Sequence, residues 1–185
     1  MADPSLGSRG SAIGGVGDMR YFRKLFLVAM SALSLVALGS ATALAHDDHT
    51  VVKFSSMTPV TGAAVGAVND RGLVGGGKAW VIASGTGSVS RDGLVMVSVT
   101  GLVIPDLGNI NPIAKLKAIV SCVTQHHAIV NVSTALFNAT GAGDVTIDDT
   151  VVLPRHCGHA IVFVTSPGGA WFAMSNPSDD EANDD

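Results

Sequence analysis

The residues of this chain best placed to do chemistry are His46 and His49, which follow directly after Ala43-Leu44-Ala45. A small residue, any residue and another small residue form a typical cleavage site of a signal peptide. Hydrolysis of the bond after Ala45 would leave His46 with a free α-amine beside its imidazole. These two nitrogens can chelate Cu(II), and a second histidine can complete a tetragonal nitrogen site. The sequence favours a polar N-terminus that simply follows a cleavage site, with a copper site at His46 and His49 as the alternative.

Four further histidines occur in two short motifs, His126-His127 and His156-Cys157-Gly158-His159. Two histidines that flank a cysteine can bind zinc or copper. However, Cys157 is expected to pair with Cys122 and would then not be a metal ligand. His126 and His127 are adjacent, and adjacent residues of a strand point to opposite faces of a sheet, so this pair is poorly suited to chelate one ion. If the disulfide forms, it would bring both motifs to one end of the domain, where four histidines would lie near one another.

The segment before these residues has the three parts of a secretory signal peptide. Residues 20–24 are rich in basic side chains, residues 25–38 are apolar, and a small-residue cleavage site ends at Ala45. An apolar run of about 14 residues is too short to span a bilayer, which needs about 20. We therefore predict a signal peptide over residues 19–45, with an uncleaved anchor as the alternative, and a mis-called start or a disordered extension over residues 1–18. The mature protein is expected outside the cytoplasm, secreted or in the cell envelope, without a membrane span.

The remaining chain, from His46 to Asp185, is long enough for one domain with a hydrophobic core. We predict a flexible N-terminal segment over residues 46–77, a β-domain over residues 78–175 and an acidic disordered tail over residues 176–185. The net charge of the full sequence is −4, and the acidic residues cluster at its C-terminus. No basic field is present to attract nucleic acid or an anionic membrane.

The two cysteines of the chain, Cys122 and Cys157, both lie in the predicted exported part. In an oxidising compartment, two cysteines most simply form one disulfide bond. Closing a loop of about 35 residues would stabilise the fold by about 3–4 kcal/mol. Two free thiols or a metal pair are the alternatives.

Apolar residues alternate with polar ones at a period of two through most of the exported chain, and glycine-containing turns interrupt the alternation. We therefore predict an all-β fold, a single antiparallel β-sandwich of about seven or eight strands, immunoglobulin-like or similar, with a small barrel as the alternative. The aromatic side chains expected in its core are Trp80, Phe137, Phe163, Trp171 and Phe172. The predicted strands cover residues 78–84, 87–90, 94–104, 115–124, 128–137, 144–153, 161–165 and 170–175.

Motifs for catalysis or nucleotide binding are weak in this sequence. Residues 72–78 have the G-x-x-x-x-G-K spacing of a phosphate-binding loop, but Ala79 replaces the magnesium-binding Ser or Thr and a strand is expected to follow. The chain has no G-x-S-x-G elbow, and Asp148 and Asp149 on one strand face opposite ways. We therefore predict a protein that is not an enzyme and binds no nucleotide, with no cofactor except copper in the alternative.

Short motifs between residues 74 and 175 carry a resemblance to known proteins. They are GKAWVI (77–82), GLVI (101–104), NP (111–112), VSC (120–122), AIVFVT (160–165) and WFA (171–173). With these motifs and its two cysteines, the chain resembles a group of small secreted bacterial proteins of unassigned function. Some of those proteins have proline before the tryptophan, where this chain has Ala79. The resemblance implies a bacterial extracytoplasmic β-domain, and implies nothing about chemistry.

A second, narrower resemblance concerns the predicted mature N-terminus alone. Periplasmic copper-resistance chaperones and lytic polysaccharide monooxygenases begin their mature chains with a histidine on a β-sandwich, as His46 would here. The sequence as a whole favours a secreted structural or interaction module of the bacterial envelope or exterior. Its expected partner is another protein or a second copy of itself, joined through an exposed sheet edge.

Overall fold

The computed structural model of the protein describes residues 49–176, which form ten β-strands and two single-turn 3-10 helices, at Gly62–Ala64 and Pro105–Leu107. All strand pairs are antiparallel, which confirms the predicted all-β fold. The strands are β1 (Thr50–Phe54), β2 (Met57–Pro59), β3 (Ser84–Ser90), β4 (Leu94–Thr100), β5 (Lys115–Val123), β6 (Ile129–Ser133), β7 (Phe137–Asn138), β8 (Val145–Thr150), β9 (Gly158–Thr165) and β10 (Trp171–Ser175).

The strands form two sheets that pack as a sandwich. One sheet has the order β1-β3-β4-β8, and the other has the order β2-β10-β9-β5-β6, with the short β7 pairing with the start of β5. Three hairpins, β3–β4, β5–β6 and β9–β10, join neighbours within a sheet. β1 and β2 are consecutive in the chain but belong to different sheets, so the chain crosses from one sheet to the other at Ser55-Ser56.

The core lies between the sheets. On β4 and β8 it is built from alternate residues, as a period of two requires, whereas β5, β9 and β10 bury runs of consecutive residues. On β4, Val95, Val97 and Val99 are buried, whereas Met96 between them is exposed. On β5, alternate residues from Leu116 to Cys122 are fully buried, as predicted. Burying an aliphatic side chain of this size contributes about 1.5–3 kcal/mol, so these buried positions stabilise the sandwich.

Two aromatic pairs anchor the six-stranded sheet. The rings of Trp80 and Phe172 stack with centroids 4.2 Å apart, and Phe163 meets Trp171 edge-on at 5.9 Å. These four side chains are buried, which confirms their predicted core positions, while Phe137 is only half-buried. The sequence prediction missed Phe54, which is buried on β1 and lies opposite Gly87 on β3.

The strand predicted over residues 78–84 is wrong for all but its last residue. Residues 78–83 form only an isolated bridge between Val81 and Val103, and β3 begins at Ser84. The amide of Trp80 donates to the carbonyl of Val60, while Val81 pairs with a different segment, so this stretch crosses between elements instead of following one strand. Of its apolar residues, Trp80 is buried and Ile82 is half-buried, whereas Val81 is exposed.

The sandwich begins earlier than the predicted boundary at residue 78. Both β1 and β2 lie within the segment 46–77, and they pair with β3 and β10 respectively. At the other end, Asn176 donates its amide to Ser56 and its side chain bonds to Ser56 and Thr58. The predicted signal peptide, the region 1–18 and the rest of the acidic tail, residues 177–185, lie outside the described residues.

Residues 61–79, named here the strap, connect β2 to the approach of β3 across the six-stranded sheet. The ends of the strap are close together, because Val60 accepts a hydrogen bond from the amide of Trp80 at 2.9 Å. Within the strap, the Asn69 side chain accepts hydrogen bonds from the amides of Arg71 and Leu73 and forms a tight turn. The turn directs Arg71 onto the sheet, where its guanidinium contacts Ser121 and His159.

Candidate functional site

All histidines of residues 49–176 lie at one end of the sandwich. Four segments meet there: the start of β1, the β3–β4 turn at Arg91-Asp92-Gly93, the β5–β6 loop 124–128, and the connection 151–157 between β8 and β9. We call this the histidine end. Its histidines are His49, His126, His127, His156 and His159.

The disulfide bond between Cys122 and Cys157 fastens this end, and it confirms the predicted pairing. The two Cα atoms are 4.7 Å apart, and Cys122 is fully buried in the core. Beside the disulfide, Val123 of β5 pairs with Gly158 of β9. The bond therefore draws the loop with His156 toward the end of β5, as the sequence indicated.

Proximity of the loops does not create a metal centre in the part of the chain that the structure describes. Residues 49–176 contain no group of three or more His, Cys, Asp or Glu side chains that could hold a metal ion. His49 is exposed at the start of β1, and its carbonyl accepts a hydrogen bond from the amide of Arg91. His46, the other predicted copper ligand, lies outside the described residues.

The carboxylate of Asp92 lies near His49, in the β3–β4 turn. The Ser90 hydroxyl donates to this carboxylate, and that hydrogen bond is the main cause of a lowered Asp92 pKa. Backbone hydrogen bonds and the nearby His49 act in the same direction. Asp92 is therefore held ionised in the hairpin turn.

The four sheet edges differ in how they are protected. Native proteins shield edges with charged residues or proline, because unpaired peptide groups invite other strands to pair. Strand β1 carries Lys53 at its edge, and β2 ends in Pro59. Strand β8 carries Asp148 and Asp149, and Asp149 accepts a hydrogen bond from the amide of Ala135. The fourth edge is β6.

Strand β6 has none of these protections in its sequence. Residues 128–136 read Ala-Ile-Val-Asn-Val-Ser-Thr-Ala-Leu and contain no charge and no proline. Ile129 and Leu136 are 41% and 44% exposed, although both are large apolar side chains. Among residues 49–176, β6 pairs only with β5, so its other side is open.

The hydrogen bonds at the two ends of the β5–β6 ladder show which peptide groups of β6 point outward. The amide of Thr124 donates to Ala128 at 2.9 Å, and the amide of Thr134 donates to Ala118 at 3.0 Å. In an antiparallel ladder, alternate residues direct both peptide groups to the partner strand.

Counting from these ends, Val130 and Val132 bond to β5, whereas Ile129, Asn131 and Ser133 present their peptide groups to the outside. We call the outward side of β6 the open edge. The Asn131 side chain donates to the Arg71 carbonyl at 2.9 Å and so fixes this strand to the strap. The open edge is therefore held in an extended shape that could accept another strand.

The glycine-rich motif 72–78 is used by the fold. The amide of Gly75 donates to Ala67 and the amide of Gly76 donates to Trp171, both at 2.8 Å. No helix lies between Lys78 and β3, which begins at Ser84. These amides, which a phosphate-binding loop would direct at its ligand, are thus occupied by carbonyl groups of the fold.

No protein-family model, curated protein or solved structure matches this chain. In the described residues, none of the helices has the length and apolar character needed to cross a membrane. The sequence prediction anticipated an exposed edge without assigning it to a strand. The uncharged run 128–136 was the available signal, but only the pairing pattern shows that this run forms an edge.

Proposed function

We propose that the protein is a secreted or cell-envelope interaction module that associates through the open edge of β6 with another chain or with a second copy of itself. The observation that carries this proposal is the combination of outward peptide groups at Ile129, Asn131 and Ser133 with the absence of charge and proline from residues 128–136. The other three edges of residues 49–176 carry Lys53, Pro59 or Asp148-Asp149.

The expected energetics require apolar contact as well as strand pairing. Each peptide hydrogen bond contributes a net of about 0.5–1.5 kcal/mol, whereas association costs about 4–15 kcal/mol in lost freedom of motion. The few outward groups of β6 are therefore insufficient alone. The exposed side chains of Ile129, on the strand, and Leu136, three residues after it, supply apolar area for such contact.

An extracytoplasmic location agrees with the covalent structure. Disulfide bonds persist in oxidising compartments and are rare in the cytosol, and the Cys122–Cys157 bond is present. The signal-peptide pattern of residues 19–45 and the resemblance to small secreted bacterial proteins point in the same direction. A bacterial envelope or the cell exterior is the compartment that we propose.

Light scattering on the mature chain, residues 46–185, tests the proposal over a range of protein concentrations. We expect a concentration-dependent increase in mass, or a specific envelope partner in a pull-down, and loss of either with Ile129→Lys. Val81→Lys is the matched control, because Val81 is also 41% exposed but lies outside β6. A chain that stays monomeric and captures nothing, or an equal loss in both variants, would count against the open edge.

A second candidate function is copper binding at the mature N-terminus. The start of β1 places His49 at the histidine end, so a chain beginning at His46 would enter the domain where the other histidines lie. N-terminal sequencing of the exported protein tests the first requirement, a free amine on His46. A Cu(II) titration should then show d–d absorption near neutral pH, which an additional N-terminal residue before His46 should abolish. Absence of that absorption from the correctly processed chain would exclude this function.

A further inference from the structure

The histidine end contains a cleft whose lining includes neither the open edge nor His49. Its volume is about 300 Å³, and it lies between the start of β1, the β3–β4 turn and the connection 151–157. Ligand pockets range from about 300 to 1,000 Å³, so this cleft is suited to a small ligand. It is lined by Thr50, Val51, Arg91, Leu153, Pro154, Arg155, His156, Cys157 and Gly158.

The charged side chains that line the cleft are all basic. Arg91 and Arg155 approach it from two different segments, and His156 adds an imidazole. No carboxylate is among its lining residues. Asp92, the acid adjacent to Arg91, is held by the Ser90 hydroxyl within the hairpin turn.

Several hydrogen-bond donors of these residues, above all the two guanidinium groups, have no acceptor within residues 49–176. Arg71 donates three side-chain hydrogen bonds to Ser121 and His159, whereas the guanidinium groups of Arg91 and Arg155 donate none to residues 49–176. The backbone amides of Arg155 and His156 likewise donate to no carbonyl of the described chain. Guanidinium groups match carboxylates and phosphates through paired N–H donors, so two unused groups at one cleft favour an oxyanion ligand.

The covalent and backbone structure holds the basic groups in position. The amide of Arg91 donates to the His49 carbonyl, which fixes the turn against the start of β1. Arg155 and His156 directly precede Cys157, which is bonded to the fully buried Cys122. Because these anchors act on the backbone, the cleft does not depend on a ligand for its shape.

We propose that this cleft binds a small oxyanion, a carboxylate or a phosphate group, through Arg91, Arg155 and His156. The site is independent of the open edge, which lies on β6. The acidic residues near the C-terminus could supply the same carboxylate chemistry from within the chain; they are Asp179, Asp180, Glu181, Asp184 and Asp185.

Isothermal titration of the mature chain with inorganic phosphate tests the site. We expect saturable binding that is weakened at least ~10-fold by Arg91→Gln and by Arg155→Gln, since each removes a charged donor. Lys115→Gln is the control, because Lys115 is exposed at the start of β5, away from the cleft, and should leave the affinity unchanged. Thermal unfolding of each variant verifies that the fold is retained.

A second arm separates a free ligand from the chain's own carboxylates. The triple variant Asp179→Asn, Asp180→Asn, Glu181→Gln should bind phosphate more tightly if those groups occupy the cleft, and equally if the ligand comes from outside. Either result supports the site when the arginine variants reduce binding. If neither the mature chain nor the triple variant binds phosphate, or if the control loses as much affinity as the arginine variants, the proposal is overturned.

Discussion

The guanidinium group of Arg71 donates a 2.7 Å hydrogen bond to the carbonyl oxygen of His159, and so joins the strap to β9. The same group donates to the carbonyl and hydroxyl oxygens of Ser121 on β5, at 3.3 and 3.4 Å. Partial burial lowers the pKa of Arg71, because loss of water disfavours the charged form, while Asp70 acts in the opposite direction. One side chain thus connects the strap to the two central strands of the six-stranded sheet.

Replacing Arg71 with methionine should lower the free energy of unfolding by about 1–2 kcal/mol. The apolar stem is retained, but the charged hydrogen bonds are lost and the buried Ser121 hydroxyl loses its partner. Urea unfolding of residues 46–185 measures the change. Lys115→Met, at an exposed site, should change it by less than about 0.5 kcal/mol. Equal losses in the two variants would show that the Arg71 contacts do not stabilise the strap.

Removal of the disulfide by Cys122→Ala with Cys157→Ala should lower the free energy of unfolding by about 3–4 kcal/mol. The bond links residues 35 apart, and its absence releases that loop in the unfolded chain. Urea unfolding with and without a reductant measures the effect. The reductant should destabilise the parent protein by a similar amount and leave the double variant unchanged. A parent protein insensitive to reduction would contradict the prediction.

The sequence predicted best those strands whose alternation is long and uninterrupted. On β5 the apolar residues from Leu116 to Cys122 alternate over several positions, and the prediction matches the strand within one residue. The turn at Arg91-Asp92-Gly93 was also confirmed, because Gly93 has the positive φ that its residue type indicates. Both strand β5 and this turn are determined by residues that are close together in sequence.

The strap and the first two strands could not be predicted because long-range contacts decide them. Strand β1 has only five residues, and Phe54 is buried through its place opposite Gly87, which is distant in sequence. The apolar stretch around Trp80 resembles a strand, yet its amides bond to separate segments. The open edge of β6 depends on which strand lies at the end of a sheet, and a single sequence does not contain that order.

Two glycines allow the cost of local backbone strain to be measured separately from the cost of a long-range steric clash. Gly93 and Gly169 have φ angles of +91° and +92°, so alanine is strained at both positions, by about 1–2 kcal/mol. A Cβ atom on Gly93 would lie 1.9 Å from the Val151 carbonyl oxygen, whereas one on Gly169 would meet nothing within 4 Å. Gly93→Ala should therefore cost more than about 3 kcal/mol and Gly169→Ala only the strain. Thermal unfolding compares them, and similar costs would show that the approach of Val151 is readily relieved.

The lowered pKa of Asp92 predicts a pH dependence of stability with a definite sign. The Ser90 hydroxyl is its main cause, and it favours the carboxylate in the folded state relative to the ordinary value of 3.8. A carboxyl group with a depressed folded pKa stabilises the fold above its unfolded pKa, and the stabilisation is lost as the pH falls through the folded value. Asp92→Asn should therefore reduce the thermal midpoint at pH 7.

That difference between Asp92→Asn and the parent protein should shrink as the pH falls below 3.8 and disappear at lower pH. Thermal midpoints of the two proteins, measured in parallel from pH 2 to pH 7, cancel the titration of the other carboxyl groups. Ser90→Ala removes the first donor to the Asp92 carboxylate and should reproduce part of the same pH-dependent loss. A difference that stays constant from pH 2 to pH 7 would contradict the prediction, because a contribution from the charge of Asp92 must vanish when the carboxylate is protonated.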